Sequence, residues 1–144
     1  MEWSRPDGFV VTDDKSRIDF DRVYGWLSGA YWALGRSRDV VARSIENSVA
    51  LSCLDADGVQ VGFARWVSDG ATFGWICDVV VDPEVRGRGL GKFMVESAVH
   101  HPYVADIPLR LLATRDAHGL YEQFGFTVVP NPPRWMELRR SSPQ

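Results

Sequence analysis

Three glycines at alternate positions, Gly87, Gly89 and Gly91, constrain this chain more than any other feature of its sequence. They lie in the stretch Asp78-Val79-Val80-Val81-Asp82-Pro83-Glu84-Val85-Arg86-Gly87-Arg88-Gly89-Leu90-Gly91-Lys92. The β-rich run ends at Asp82-Pro83-Glu84. From Gly89 to His101, residues Leu90, Phe93, Met94, Ser97 and Ala98 recur at helical intervals until Pro102. The pattern predicts a strand, a turn and a glycine-rich loop that opens straight into a helix. Glycines let a backbone approach a ligand closely, and the first free amides of a helix attract phosphate. A plain connecting turn needs only one glycine. Arg86, Arg88 and Lys92 add positive charge, and no acidic residue stands between Val85 and Val95. Two familiar phosphate loops do not fit. The P-loop requires Ser or Thr after Gly-Lys, where this chain has Phe93, and the dinucleotide fingerprint counted from Gly87 puts Lys92 at its third glycine.

On the N-terminal side the chain reads as strand and helix signals in alternation. Phe9 to Thr12 is a first strand, and Ile18 to Trp32 carries helical spacing weakened by Gly25 and Gly29. Ser37 is placed to cap a second short helix bearing the pair Val41 and Ile45. Val49 to Leu54, Val59 to Ser68 and Thr72 to Val81 are separated by short Asp/Gly connections, which predicts an antiparallel meander. Downstream, Leu109 to Thr114 has the near-continuous apolar character of a strand in the middle of a sheet. Asp116 is placed to cap a short helix with Leu120 and Phe124 on one face and Gly125 as its stop. Phe126 to Val129 and Trp135 to Leu138 are the last strand candidates. The fold class expected is mixed α/β with one central sheet, formed by a single domain over residues 1–144.

Composition agrees and narrows the partners. At 144 residues one core suffices, since folding at that length buries roughly 70% of the unfolded surface. Sixteen basic against 19 acidic side chains leave a net charge of −3, which argues against a nucleic-acid binder. Every basic residue except Lys15 and Lys92 is arginine, whose fork of donors suits phosphate. Cys53 and Cys77 lack metal or redox spacing and read as small buried thiols, so no metal is expected. No apolar run reaches the ~20 residues of a membrane helix, and no signal peptide is visible, so no membrane partner and a cytoplasmic location are the expectation.

Val81-Asp82-Pro83 followed by Arg86-Gly87-Arg88-Gly89-Leu90-Gly91 resembles the acyl-CoA-binding motif of the GNAT superfamily of N-acetyltransferases, here in the form Arg86-x-x-Gly89-x-Gly91. Leu120-Tyr121-x-x-Phe124-Gly125-Phe126 is similar to a second element of that family, in the expected order. The resemblance implies a mostly antiparallel twisted sheet of six to seven strands flanked by about four helices, with acetyl-CoA as co-substrate. It implies that main-chain groups of Val79, Val80 and Val81 hold the pantetheine arm. Arg86, Gly87, Arg88, Gly89, Leu90, Gly91 and Lys92 would hold the pyrophosphate. Tyr121 would lie near the CoA sulfur as general acid. The family often forms homodimers, which makes a second copy of the chain a candidate partner.

Amine acetylation needs a neutral amine, a donor for the developing oxyanion and a proton for the leaving thiolate. A phenol of ordinary pKa near 10 remains protonated at neutral pH and can supply that proton. Asp78 has two readings: direct or water-relayed base or amine anchor, or a structural carboxylate that binds a loop or an arginine. Strict alternation puts it on one face with Ile76 and Val80. Tyr31, Trp32, Arg36, Arg65 and Trp75 are candidates for the acceptor pocket; His100 and His101 are assigned no chemistry, and His118, one turn before Tyr121, reads more readily as a solvated or capping group than as a partner on the same side. The expected activity is acetyl transfer to a primary amine of a small molecule or peptide in a ternary complex. A non-catalytic acyl-CoA-binding module, another acyl chain and another acceptor atom are the alternatives.

Overall fold

The computed structural model describes residues 1–140. Six strands form one sheet in the order of the chain: β1 (Glu2–Ser4), β2 (Val10–Thr12), β3 (Val49–Leu54), β4 (Gln60–Ser68), β5 (Gly74–Val81) and β6 (Arg110–Leu111). All neighbours are antiparallel except β5 and β6. The predicted meander is therefore β3–β5, turned by Asp55, whose side chain accepts from the Asp57 and Val59 amides, and by Asp69, which accepts from Ala71 and Thr72.

Helices α1 (Phe20–Ser28) and α2 (Arg38–Glu46) cover one face of the sheet, and α3 (Leu90–Val99) covers the other. Asp19 and Ser37 cap the first two through their side-chain oxygens. Val23, Leu27, Val41 and Ile45 then pack onto Ala50 and Phe63. On the α3 face Leu90, Met94 and Ala98 meet Leu51, Cys53, Val61 and Trp66, and the buried Trp66 indole donates to the Ala98 carbonyl at 2.9 Å. The fourth helix, α4 (His118–Glu122), is one short turn leading to Gly125, whose φ of +91° ends it as expected.

Several expectations change. The predicted helix over Ile18 to Trp32 is α1 between two 3-10 turns, Lys15–Arg17 and Tyr31–Ala33. The N-terminal strand β1 carries no run long enough to be read and is held by pairing with β2. The Leu109 to Thr114 run pairs for only two residues and forms the sheet's edge, half-buried, instead of its middle. Asp116 does not cap α4. Thr114 Oγ1 accepts from the Ala117 amide instead, and Asp116 pairs loosely with Arg115. Residues 126–129 and 135–138 form no strand, so the sixth strand is β1 and not one of these.

Candidate active site

Strand β5 does not alternate regularly. Phe63 stands opposite Val80 and Arg65 opposite Cys77, so two β5 residues, Asp78 and Val79, face the single Ala64. Asp78 is the extra residue of a β-bulge and has φ +54°, the one positive φ outside glycine among the described residues. Asp and Asn tolerate that region better than other side chains. Beyond the bulge the parity of the strand is inverted. Ile76, Val79 and Val81 lie on the α3 side, whereas Val80 packs with Phe63 on the α1–α2 side. The alternation that grouped Asp78 with both Ile76 and Val80 is corrected accordingly.

The Asp78 carboxylate is fully enclosed and bound from three directions. Oδ1 accepts from Trp32 Nε1 at 2.9 Å, and Oδ2 accepts from Arg65 Nε at 2.7 Å. Arg36 Nη1 donates to both oxygens at 3.0 and 2.9 Å. Burial alone would raise its pKa, but the Arg65 and Arg36 guanidiniums outweigh burial and hold the carboxyl below the ordinary aspartate value. A carboxylate so placed is ionised and has little basicity.

On its other edge β5 meets β6 only at Gly74 and Trp75, and the two strands part beyond that point. The opening is a cleft of about 820 Å³. Val79 and Val81 of β5, Gly91 of α3, Ala113 and Thr114 after β6, and Leu120 and Tyr121 of α4 line one part of it. Tyr31, Trp32, Arg36, Arg65, Trp75, Cys77 and Asp78 line the other, with Glu137 and Arg139 at the rim. The Val80 side chain faces away from the cleft, so any role it has there belongs to its main chain.

At the mouth, the loop after β5 presents a row of free donors. Among the described residues none of the amides of residues 86–92 donates to a protein acceptor, since the first helical bond of α3 is Phe93 N–H to Gly89 O. Gly87 and Gly89 have φ of +85° and +71°, the conformation that turns successive N–H groups towards a common centre able to hold an anion. Arg86, Arg88 and Lys92 are exposed around that centre, outside the cleft lining itself. Donors of this kind can hold a phosphate or other anion.

Tyr121 is buried against Phe126, their rings meeting edge to face with centroids 5.9 Å apart, and it lines the cleft. Burial, with the neighbouring Tyr31 acting in the same direction, pushes its phenol above the ordinary tyrosine value. It is therefore a proton donor at neutral pH. Tyr31, Trp32 and Trp75 are each more than 40% exposed and face the open space. Tyr31 is itself fixed from across the cleft: Arg115 lies over its ring at 3.9 Å, and the Arg115 amide donates to its hydroxyl at 3.2 Å. Arg115 and Thr114 carry no sequence signal, because they lie in a loop and meet their partners only through the fold. The Cys77 thiol, in the same wall, is pushed by burial up to about 11 and is protonated at neutral pH.

The model of the acetyltransferase (GNAT) domain matches residues 48–128, from β3 through α4. The chain belongs to the GNAT acetyltransferase family. Over 94% of both chains this GNAT domain superposes, at TM-score 0.87 and 39% identity, on the crystal structure of a Xanthomonas campestris pv. campestris protein assigned to the same family. It is 29% identical to serotonin N-acetyltransferase 2, chloroplastic, of Oryza sativa subsp. japonica, over 95% of this chain and 70% of that one. It is 36% identical to the uncharacterized N-acetyltransferase ycf52 of Pyropia yezoensis over 54% of this chain, a match that spans only 45% of the algal protein. The six-stranded sheet with four helices is the family's α/β architecture. The bulge, the splayed strands and the amide loop all lie within the matched region.

Proposed function

We propose that this GNAT domain is an acetyl-CoA-dependent N-acetyltransferase that moves an acetyl group to a primary amine of a small molecule or peptide by direct transfer in a ternary complex. One observation carries the reading: Tyr121, the free edge of β5 and the start of α3 line a single cleft. Acetyl-CoA, when bound, supplies the activated acyl group. The amides of residues 86–92 hold its pyrophosphate, aided by Arg86, Arg88 and Lys92, and the main chain of Val79–Val81 orients its pantetheine arm. Tyr121 gives its proton to the departing sulfur as the C–S bond breaks; its raised pKa means that the phenol is protonated at neutral pH, and the phenolate left behind regains a proton from the water that carries off the amine proton. Asp78 fixes Arg36, Arg65 and Trp32 in the acceptor wall, and the amine proton leaves through water. A protonated Cys77 thiol is a poor nucleophile, which favours direct transfer over an acetyl-cysteine.

The exposed rings of Tyr31, Trp32 and Trp75 suit an amine with an apolar or aromatic body. The rice relative is named for serotonin, so serotonin belongs in the first panel of amines. The test is CoA release from acetyl-CoA against that panel, with the wild type and Tyr121→Phe. The expected result is release with at least one amine and a kcat lower by about 10²-fold in the variant, at the low end for general acid catalysis, with unchanged CoA affinity. Release by no amine would favour a non-catalytic acyl-CoA-binding module, and equal turnover in the variant would remove Tyr121 as the acid.

A further inference from the structure

Arg5 lies at the end of β1, far in sequence from the loop after β5, and no motif includes it. Its guanidinium makes a fork with Asp7, Nε to Oδ1 at 3.1 Å and Nη2 to Oδ2 at 2.5 Å. The remaining nitrogen, Nη1, donates to the main-chain carbonyl of Arg88 at 2.9 Å, across 83 residues of sequence. The group is also held between two rings, 5.3 Å from the Phe9 centroid and 5.5 Å from that of Phe93. Phe93 is on the side of α3 away from the cleft, whose lining takes Gly91 from the same turn.

From these contacts we infer that Arg5 is a positioning residue for the anion loop, which it aims through the Arg88 carbonyl. This rests on the acetyl-CoA reading above. A trans peptide carries its C=O and N–H in opposite directions. Fixing the Arg88 carbonyl on Arg5 therefore turns the Gly89 amide away from Arg5, among the free amides at the start of α3. Gly89 at φ +71° has no side chain to hold this geometry, so the restraint comes from outside the loop. Asp7 sets the orientation: its carboxylate engages two of the three guanidinium nitrogens and leaves Nη1 for the loop. Asp7 also neutralises the guanidinium, so the pair acts by geometry and adds little net charge near a bound phosphate.

The test measures binding of CoA and of acetyl-pantetheine, which lacks the pyrophosphate, to the wild type, Arg5→Met and Asp7→Asn. Arg5→Met is expected to weaken CoA about 10-fold while leaving acetyl-pantetheine within twofold. Asp7→Asn separates geometry from charge, because it makes the site more positive yet frees the fork. It is expected to weaken CoA about threefold, whereas a purely electrostatic role predicts tighter binding and overturns the proposal. Equal CoA affinity in Arg5→Met and the wild type also overturns it, as does a parallel loss of both ligands, which marks a merely structural residue. A wild type that binds no CoA refutes the acetyl-CoA reading itself, a result distinct from these.

Discussion

Asp78→Asn separates the two roles a carboxylate at this position can play. The wild-type carboxylate has no exposed surface, and it accepts from Trp32, from Arg65 and, with both oxygens, from Arg36. Arg65 keeps only 11% of its side chain exposed, so removing the anion leaves a nearly enclosed guanidinium unpaired. Breaking a buried pair from one side costs about 3–5 kcal/mol. Asn returns one carbonyl acceptor and tolerates φ +54°, which places the expected loss near the bottom of that range, at about 3 kcal/mol. With a urea m-value of about 1.5 kcal/mol/M, the unfolding midpoint falls by about 2 M at pH 7. The pH dependence has a definite sign. The folded carboxyl titrates below the ordinary value of 3.8, so its contribution is complete above that value and is lost as pH falls through the lowered one. The gap between wild type and variant therefore narrows as pH is lowered from 7 through that lowered value. Equal midpoints at pH 7, or a gap that stays constant into acid, would refute the ion-pair account. Turnover lost at an unchanged midpoint would make Asp78 the base instead.

Gly62 lies over Met94, and a Cβ there would come within 2.8 Å of Met94 Sδ and 3.1 Å of Cys53 Cβ. Overpacking of this kind costs about 1–3 kcal/mol, and the flexible Met94 end yields enough to keep Gly62→Ala near about 1 kcal/mol, a Tm lower by about 3 °C in calorimetry. For Cys77, a thiol pushed from 9.0 up to about 11 holds about 100-fold less thiolate at pH 7, so its maleimide labelling in the folded protein is expected to be about 100-fold slower than in urea. Cys77→Ala is expected to retain turnover within about twofold, and its loss in a folded variant would point to a covalent acyl-enzyme.

What the sequence disclosed depended on whether a signal was local. The amide loop was legible because its chemistry lies in consecutive residues, as did the Asp/Gly turns of the meander and the Ser37 cap. Tyr121 and Asp78 could be named as candidates, but the partners of Asp78 could not be chosen. Trp32 and Arg36 come from the segment between α1 and α2 and Arg65 from β4, and Trp32 lies in a 3-10 turn that helical spacing absorbs into a longer helix. Strand β1 escaped notice because three residues cannot show a period and its stability comes from pairing with β2. The Leu109 to Thr114 run misled in the opposite sense. Its apolar character reflects packing at the floor of a cleft, Leu112 against the α3-side core and Ala113 in the lining, and not enclosure between two strands.

The single inserted residue in β5 connects the two halves of the site. A regular strand would keep Ile76, Asp78 and Val80 on the α3 face, where a carboxylate would meet Trp66 and Met94 and find no cation. The bulge moves Asp78 to the α1–α2 face, where Arg65 projects from the neighbouring strand and Arg36 and Trp32 arrive from the segment between the helices. It also returns Val79 and Val81 to the α3 side, so that beyond the bulge these two side chains line the cleft beside Gly91. A bulged strand bends and twists more strongly, and β5 parts from β6 within a few residues of this point. The positive φ of Asp78 costs about 1–2 kcal/mol, which its hydrogen bonds to two guanidiniums and an indole outweigh. The ion pairs thus hold in place the backbone irregularity that opens the cleft, and weakening them should loosen the wall formed by Val79 and Val81 even though Asp78 itself bonds only to Trp32, Arg36 and Arg65.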